Sequence, residues 1–246
     1  MYNAEKYIPD AIRSVFSQTY GDWEMIIVDD CSSDRSLEIA EQYAKVDNRI
    51  RIIYLDCNMG VASARNAGIA TAKGRYISFL DSDDIWEKDK LSRQLKFLSE
   101  NGYFFVFASC KLINESGASM NKILKAPNSV NYEKLLRSNC ITCSSVMIDA
   151  SKINVSMPDI KHEDYATWLG ILKKGFAAYG LDSELVKYRI RKTSVSANKL
   201  KSLSWVYRIY RNYLKMTPQQ ALYHIVVYFL HSIKKYAGAL NVVFRS

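Results

Sequence analysis

Asp81, Asp83 and Asp84 stand within four residues, separated only by Ser82, directly after the apolar run 76–80. Carboxylates this close repel one another unless a cation lies among them or some are protonated. In extended chain, side chains two apart share a face, so Asp81 and Asp83 can converge on one point. Hard divalent ions such as Mg²⁺ or Mn²⁺ take one or two such carboxylates and complete their shell with phosphate oxygens. Asp84 reads differently. With Glu87 three residues on, it predicts the N-cap of a helix over 85–99. Taken alone, the whole cluster is more simply a capped turn. A second acidic pair, Asp29-Asp30, closes the apolar run 24–28, and a third, Glu163-Asp164, opens a run with a helical period. There Tyr165, Trp168, Leu169 and Leu172 form one face. At ~100° per residue Asp164 flanks that face, while Glu163 points nearly opposite. Acidic residues at a helix start also answer the helix dipole, so spacing alone leaves both roles open.

The elements holding these residues follow from periodicity. The chain opens on a helix whose apolar positions are Tyr7, Ile8, Ala11, Ile12, Val15 and Phe16, with Asn3 a candidate cap. Strand 24–28, a helix carrying Leu37, Ala40, Tyr43 and Ala44, strand 51–55, helix 61–72 and strand 76–80 then alternate. Such alternation predicts an α/β fold with a parallel, doubly wound sheet. Ligands of such sheets lie beyond the carboxyl ends of the strands, where Asp29/Asp30 and Asp81/Asp83 both fall. The pattern should begin with a strand, yet here it begins on the helix that would follow one. Further on, 104–108 and 139–148 read as strands.

An apolar fraction of 48% and 17 tyrosines fit a globular enzyme and exclude a disordered chain. Cys31, Cys57, Cys110, Cys140 and Cys143 are scattered; Cys140 and Cys143 have redox or zinc spacing but no second pair. They read as reduced thiols of a cytosolic protein, and no signal peptide is visible. The net charge of +9 is unevenly spread: residues 187–246 hold 12 Lys/Arg and no Asp or Glu. Runs 203–215 and 218–237 read as two basic, aromatic-rich helices, the second opened by Thr217-Pro218-Gln219-Gln220 as cap, first-turn proline and capping-box glutamine. The apolar run 221–233 is too short to span a bilayer. A basic helix with aromatic residues suits a membrane interface. Packing on the domain, or on a second subunit as a homodimer, explains it too.

Five segments together carry a resemblance. They are Tyr2-Asn3-Ala4-Glu5, Ser17-Gln18-Thr19-Tyr20, Ile27-Val28-Asp29-Asp30-Cys31-Ser32, Asn58-Met59-Gly60-Val61-Ala62-Ser63-Ala64-Arg65-Asn66 and Phe79-Leu80-Asp81-Ser82-Asp83-Asp84. In order and spacing they resemble the family 2 glycosyltransferases, inverting enzymes of the GT-A (Rossmann-like) fold that use nucleotide sugars. The resemblance implies a GT-A domain over 1–198, with a mostly parallel doubly wound sheet, and a basic helical tail over 199–246. It places Asp30 near the uracil of a UDP-sugar, and Arg65 on the base or diphosphate. A buried arginine–carboxylate pair is the alternative for Arg65. Asp81 and Asp83 match the Asp-X-Asp motif that holds Mn²⁺ or Mg²⁺, Asp83 being the direct ligand. Asp164 matches the general base, with His162 a neighbour. Tyr188-Arg189-Ile190-Arg191 and Ser194-Val195-Ser196 resemble the segment that closes the catalytic domain. A strand precedes the Tyr-Asn in similar proteins, which implies about ten further residues upstream of Met1.

The implied reaction moves a hexose, glucose or galactose, from a UDP-sugar to a saccharide acceptor linked to undecaprenyl diphosphate. Bacterial surface polysaccharide (O-antigen, lipopolysaccharide or capsule) would be the product, made in the cytoplasm at the inner face of the inner membrane. No nucleic-acid partner is implied. Two other readings are open to the sequence. A response-regulator receiver would use Asp29/Asp30 and Asp81 as a phosphorylation pocket, but it lacks Pro and Lys at the receiver spacing after Asp81 and leaves Arg65 and Glu163-Asp164 without a role. A nucleotide-sugar-binding protein without catalysis is the other.

Overall fold

The helical period of the opening segment forms α1 (Ile8–Phe16), whose buried residues share one apolar cluster with β1 (Met25–Asp29), α2 (Ser36–Val46) and β2 (Ile50–Tyr54). The computed structural model describes residues 1–191 and 199–240, the side chains of 199–200 and 232–240 excepted. β1 and β2 pair in parallel, Met25 opposite Ile50 through Asp29 opposite Tyr54, because α2 carries the chain back between them. Met1 lies alongside β1, its amino group on the Val28 carbonyl and its own carbonyl accepting from the Asp30 amide. The expected cap is absent at Asn3: α1 starts five residues later, and Asn3 sits at φ +46°, accepting from the Ser33 amide at 2.8 Å. The side chain is held by a neighbouring loop and so cannot serve its own helix.

α3 (Val61–Thr71) leads to β3 (Tyr76–Ser78), the edge of a larger sheet. Its order is β3, β8 (Met147–Asp149), β5 (Phe105–Ile113), β9 (Ala178–Arg189) and β4 (Ile85–Trp86). β6 (Ser119–Leu124) adds to β5, and β7 (Ser129–Val130) to β9. The α/β architecture is as expected, but this sheet is mixed rather than mostly parallel. Among the described residues only β5 and β9 run parallel in it; β3–β8, β4–β9, β5–β6, β5–β8 and β7–β9 are antiparallel. The segment 114–118 returns β5 directly into β6, which makes that pair antiparallel; the other antiparallel pairs join strands far apart in sequence. The strand expected over 139–148 is a 3₁₀ turn, Cys143–Ser145, followed by the short β8.

The helix expected over 85–99 also divides. Ile85 and Trp86 pair with Lys187 and Val186 of β9, and α4 (Lys90–Asn101) starts only at Lys90. Sheet pairing there overrides local cap chemistry, and Asp84 caps nothing.

The main core lies between the sheet, α5 (Tyr132–Arg137) and α6 (Glu163–Lys173). Trp168 of α6 packs on the rings of Phe79 and Phe105 at 5.9 and 5.2 Å. The basic helices belong to this core. Val206 of α7 (Lys199–Arg208), Ile209 and Tyr210 of the π-helical turn that follows (Ile209–Tyr213), and Ala221 of α8 (Pro218–Leu240) are all buried in it. The Tyr210 hydroxyl donates to the Leu136 carbonyl at 2.7 Å and meets the Tyr165 hydroxyl at 3.0 Å, joining the tail to α5 and α6. The predicted capping box forms at α8: Thr217 and Gln220 exchange bonds of 2.9 and 3.3 Å. The segment Ser194–Ser196 and the expected 198/199 boundary lie outside the described residues.

Candidate active site

The Asp81–Asp84 turn leaves β3 and is held from behind by one buried serine. Ser144 Oγ accepts the Asp81 amide at 3.0 Å and donates to Asp84 Oδ2 at 2.6 Å. The Ser144 carbonyl accepts Trp86 Nε1–H at 2.8 Å. On its other side, Asp84 Oδ1 accepts the Arg189 amide at 2.8 Å, and Arg189 Nε donates to the Asp83 carbonyl at 2.7 Å. Asp84 is therefore a buried anchor of the turn. Burial pushes its carboxyl well above the usual range, and the charges of Asp81 and Asp83 add to that.

Arg65 projects from α3 into the same place. Its Nη2 pairs with Asp81 Oδ1 at 2.5 Å, and its Nη1 with Glu163 Oε1. With 14% of its side chain exposed, Arg65 occupies the buried carboxylate pair that was one of its two readings. Burial opposes its charge, but Cys143, Asp81, Glu163 and Asp164 around it hold the guanidinium protonated, well above its ordinary range. The expectation that Glu163 points away is overturned. As the first residue of α6 it has no preceding turn to fix its direction, and its long side chain reaches back to Arg65. Asp164 Oδ1 accepts the Tyr165 amide at 2.7 Å. Burial pushes the Asp164 carboxyl up, and the nearby Arg65 charge works against this. Glu163 has the same balance of causes. His162 enters α6 at φ +58°, with Nε2 2.9 Å from Ser202 Oγ and its ring edge-on to Trp205. Its contacts there are with α7.

Asp83 Oδ2 lies 2.7 Å from Arg191 Nε, a charge contact without hydrogen-bond geometry. Burial pushes the Asp83 carboxyl up, Asp81 adds to it, and Arg191 opposes it. A divalent cation would relieve the same repulsion. Two carboxylates on one turn fit a hard cation that takes its remaining ligands from phosphate and water. No group of three or more His, Cys, Asp or Glu able to hold a metal occurs among the described residues. Asp30, the residue expected near uracil, is buried. Its Oδ1 and Oδ2 accept the amides of Met59 and Gly60 at 2.7 and 2.9 Å. It thus shapes the loop into α3, where Gly60 takes φ +85°.

The fold brings Arg65, Asp81, Glu163 and Asp164 together, with Asp83 on the same turn as Asp81. Sequence reasoning missed Ser144, Arg191 and the Arg65–Glu163 pair. Ser144, one of two adjacent serines, carries no local signal, and the two arginine pairs, Arg65–Glu163 and Arg191–Asp83, span 98 and 108 residues of chain, beyond any spacing rule. All five cysteines are free, as expected.

An α/β domain with paired aspartates leaving a strand, facing an arginine and the acidic start of a helix, has the architecture of the GT-A glycosyltransferases. The chain is similar in fold to Staphylococcus aureus TarS, crystallised with UDP-GlcNAc, over 93% of its own length and 69% of that chain (TM-score 0.69, 20% identity). It is similar also to the mannosyltransferase PcManGT of Pyrobaculum calidifontis, in complex with GDP-Man and Mn²⁺, over 100% of its length and 79% of that chain (TM-score 0.67, 15% identity). Residues 1–151 match Glycosyl transferase family 2, and the chain belongs to that family. Bacillus subtilis TuaG, named as a teichuronic acid biosynthesis glycosyltransferase, is 43% identical over 95% of this chain and 94% of its own. Escherichia coli WfgD, named as a UDP-Glc:α-D-GlcNAc-diphosphoundecaprenol β-1,3-glucosyltransferase, is 35% identical over 96% of this chain and 92% of its own. The protein is a glycosyltransferase, and the receiver reading falls.

Proposed function

We propose that the protein is a metal-dependent, inverting hexosyltransferase that moves glucose or galactose from a UDP-sugar to a lipid-diphosphate-linked saccharide. The observation that carries this reading is the Arg65 bridge, which sets Asp81 of the Asp-X-Asp turn beside the Glu163-Asp164 start of α6. Donor diphosphate and acceptor hydroxyl would meet between these groups. Asp81 and Asp83 would hold Mn²⁺ or Mg²⁺, which supplies positive charge to the departing diphosphate. Asp30 keeps the Met59-Gly60 loop in shape beside the base, and Arg65 presents charge toward the diphosphate. Asp164 is the proposed base: it takes the proton of the acceptor hydroxyl as that oxygen attacks the anomeric carbon from the face opposite the leaving group. Its upward-shifted carboxyl is a better proton acceptor than an ordinary aspartate. An α-linked donor then gives a β-linked product.

The names of TuaG and WfgD support surface-polysaccharide assembly, and that of WfgD supports UDP-glucose with a lipid-linked acceptor. The site of action would be the inner face of the bacterial membrane. The test is a screen of UDP-hexoses with a short-chain diphosphate-linked GlcNAc acceptor, with and without Mn²⁺, reading product mass and anomeric configuration. Metal-stimulated formation of a β-linked disaccharide is expected. Transfer with retention, or none from any UDP-hexose, would overturn the reading.

A further inference from the structure

α8 divides its surface in three. Ala221, Ile225 and Tyr228 pack into the main core. Leu222, Tyr223, Val226, Phe229 and Leu230 are exposed, by 61, 66, 49, 44 and 52%. Gln220, His224 and His231 lie between these faces. At ~100° per residue the five exposed apolar positions cover an arc of about 120°, centred roughly 130° from the packed face. They are one continuous stripe that is left exposed among the described residues, whereas scattered single apolar residues would need no explanation.

From this stripe we infer that α8 lies in the surface of an anionic lipid bilayer, with Leu222, Val226 and Phe229 at the centre of its buried face. Charge selects the occupant. The segment 199–240, which holds α7 and α8, carries seven Lys/Arg and no acidic residue, a composition complementary to an anionic surface. A second copy meeting the same stripe would set one basic tail against another, the opposite of a self-complementary contact. No described helix is long and apolar enough to cross a bilayer. An amphipathic helix that is basic and aromatic lies flat in the interface. The structure also gives this face a rigid seat. Tyr210, in the turn before α8, is tied by hydrogen bonds to α5 and to Tyr165, the residue after Asp164. A bilayer under α8 would therefore stand in a fixed relation to the Asp164 end of α6. This inference deepens the reading of a lipid-linked acceptor and rests on it for its purpose, though not for its evidence.

The test uses the full chain and vesicles of phosphatidylcholine with or without phosphatidylglycerol, read by co-sedimentation at low and high salt. The protein should bind the anionic vesicles at low salt and lose them at high salt. The triple variant Leu222→Glu, Val226→Glu, Phe229→Glu should partition about tenfold less or weaker. Its melting temperature should stay unchanged, because these side chains are exposed. Its transfer to a water-soluble, short-chain acceptor should persist, which separates failure here from failure of the proposed reaction. Wild-type protein that ignores anionic vesicles at low salt would overturn the inference, as would a triple variant that binds undiminished. A wild-type dimer that the triple variant turns into monomer would assign the stripe to a second copy instead.

Discussion

Replacing Arg65 by glutamine removes one side chain from between two carboxylates, and its effects can be worked out from their exposure. The Glu163 partner is 9% exposed, so breaking this pair leaves a buried carboxyl without its counter-charge, which costs about 3–5 kcal/mol. The Asp81 pair adds less, because that side chain is 34% exposed and solvent screens it. In a chain of this size each kcal/mol lowers the melting temperature by about 2–4 °C, so calorimetry should show a fall of roughly 6–20 °C. The pH dependence has a definite sign. Burial raises Glu163 and Asp164 above their unfolded values, and Arg65 restrains that rise. Groups raised in this way favour the fold most below their unfolded pKa, and that contribution is lost as pH rises through the folded pKa. Without Arg65 the folded values climb further, so the destabilisation should be greatest near neutrality and shrink in acid. Asp164 must be ionised to act as a base, so the acid limb of kcat should move to higher pH. Arg65→Lys, which keeps the charge but not the fork, should melt between the two and leave the acid limb nearer wild type. The pH test then survives even if the glutamine variant does not fold. A glutamine variant that melts with wild type, or an acid limb unmoved in glutamine and lysine variants alike, would refute the argument.

Three other outcomes follow from the same geometry. Ser144→Ala leaves the Asp81 amide and buried Asp84 without a shared partner; unfolding should cost about 2–4 kcal/mol less, and the apparent donor KM should rise, whereas Ser144→Thr should restore part of both. Asp164→Asn should depress kcat far more than donor binding, because proton transfer belongs to the transition state, while Glu163→Gln should lower stability first and kcat less; equal kcat losses would remove Asp164 from its role. Gly180→Ala should destabilise the protein by about 1–3 kcal/mol in a chemical melt, since a Cβ there would run into the Pro127 carbonyl; an unchanged midpoint would mean that the strand can shift.

The first hundred residues were legible because their information is local. β1, α2, β2, α3 and β3 follow their apolar periods within a residue or two, and each acidic cluster leaves its strand where pattern alone put it. Asp84 shows where that legibility stops. Its neighbours Ser82, Ile85 and Glu87 describe a good helix start, and no local rule argues against one. What decides is Val186, a hundred residues on, which pairs with Trp86 and turns the supposed start of the helix into β4. The same pairing draws Asp84 inward, onto Ser144 and the Arg189 amide. The three aspartates are thereby divided by kind of partner rather than by sequence. Asp84 is bound to a hydroxyl and a backbone amide that form part of the fold. Asp81 and Asp83 are faced by Arg65 and Arg191, side chains that a diphosphate can also attract. A cation and a phosphate arriving together could take over both halves of those ion pairs without disturbing the turn beneath. Such an exchange would leave the floor of the site in place, because Asp84, read from sequence as a helix cap, is part of that floor.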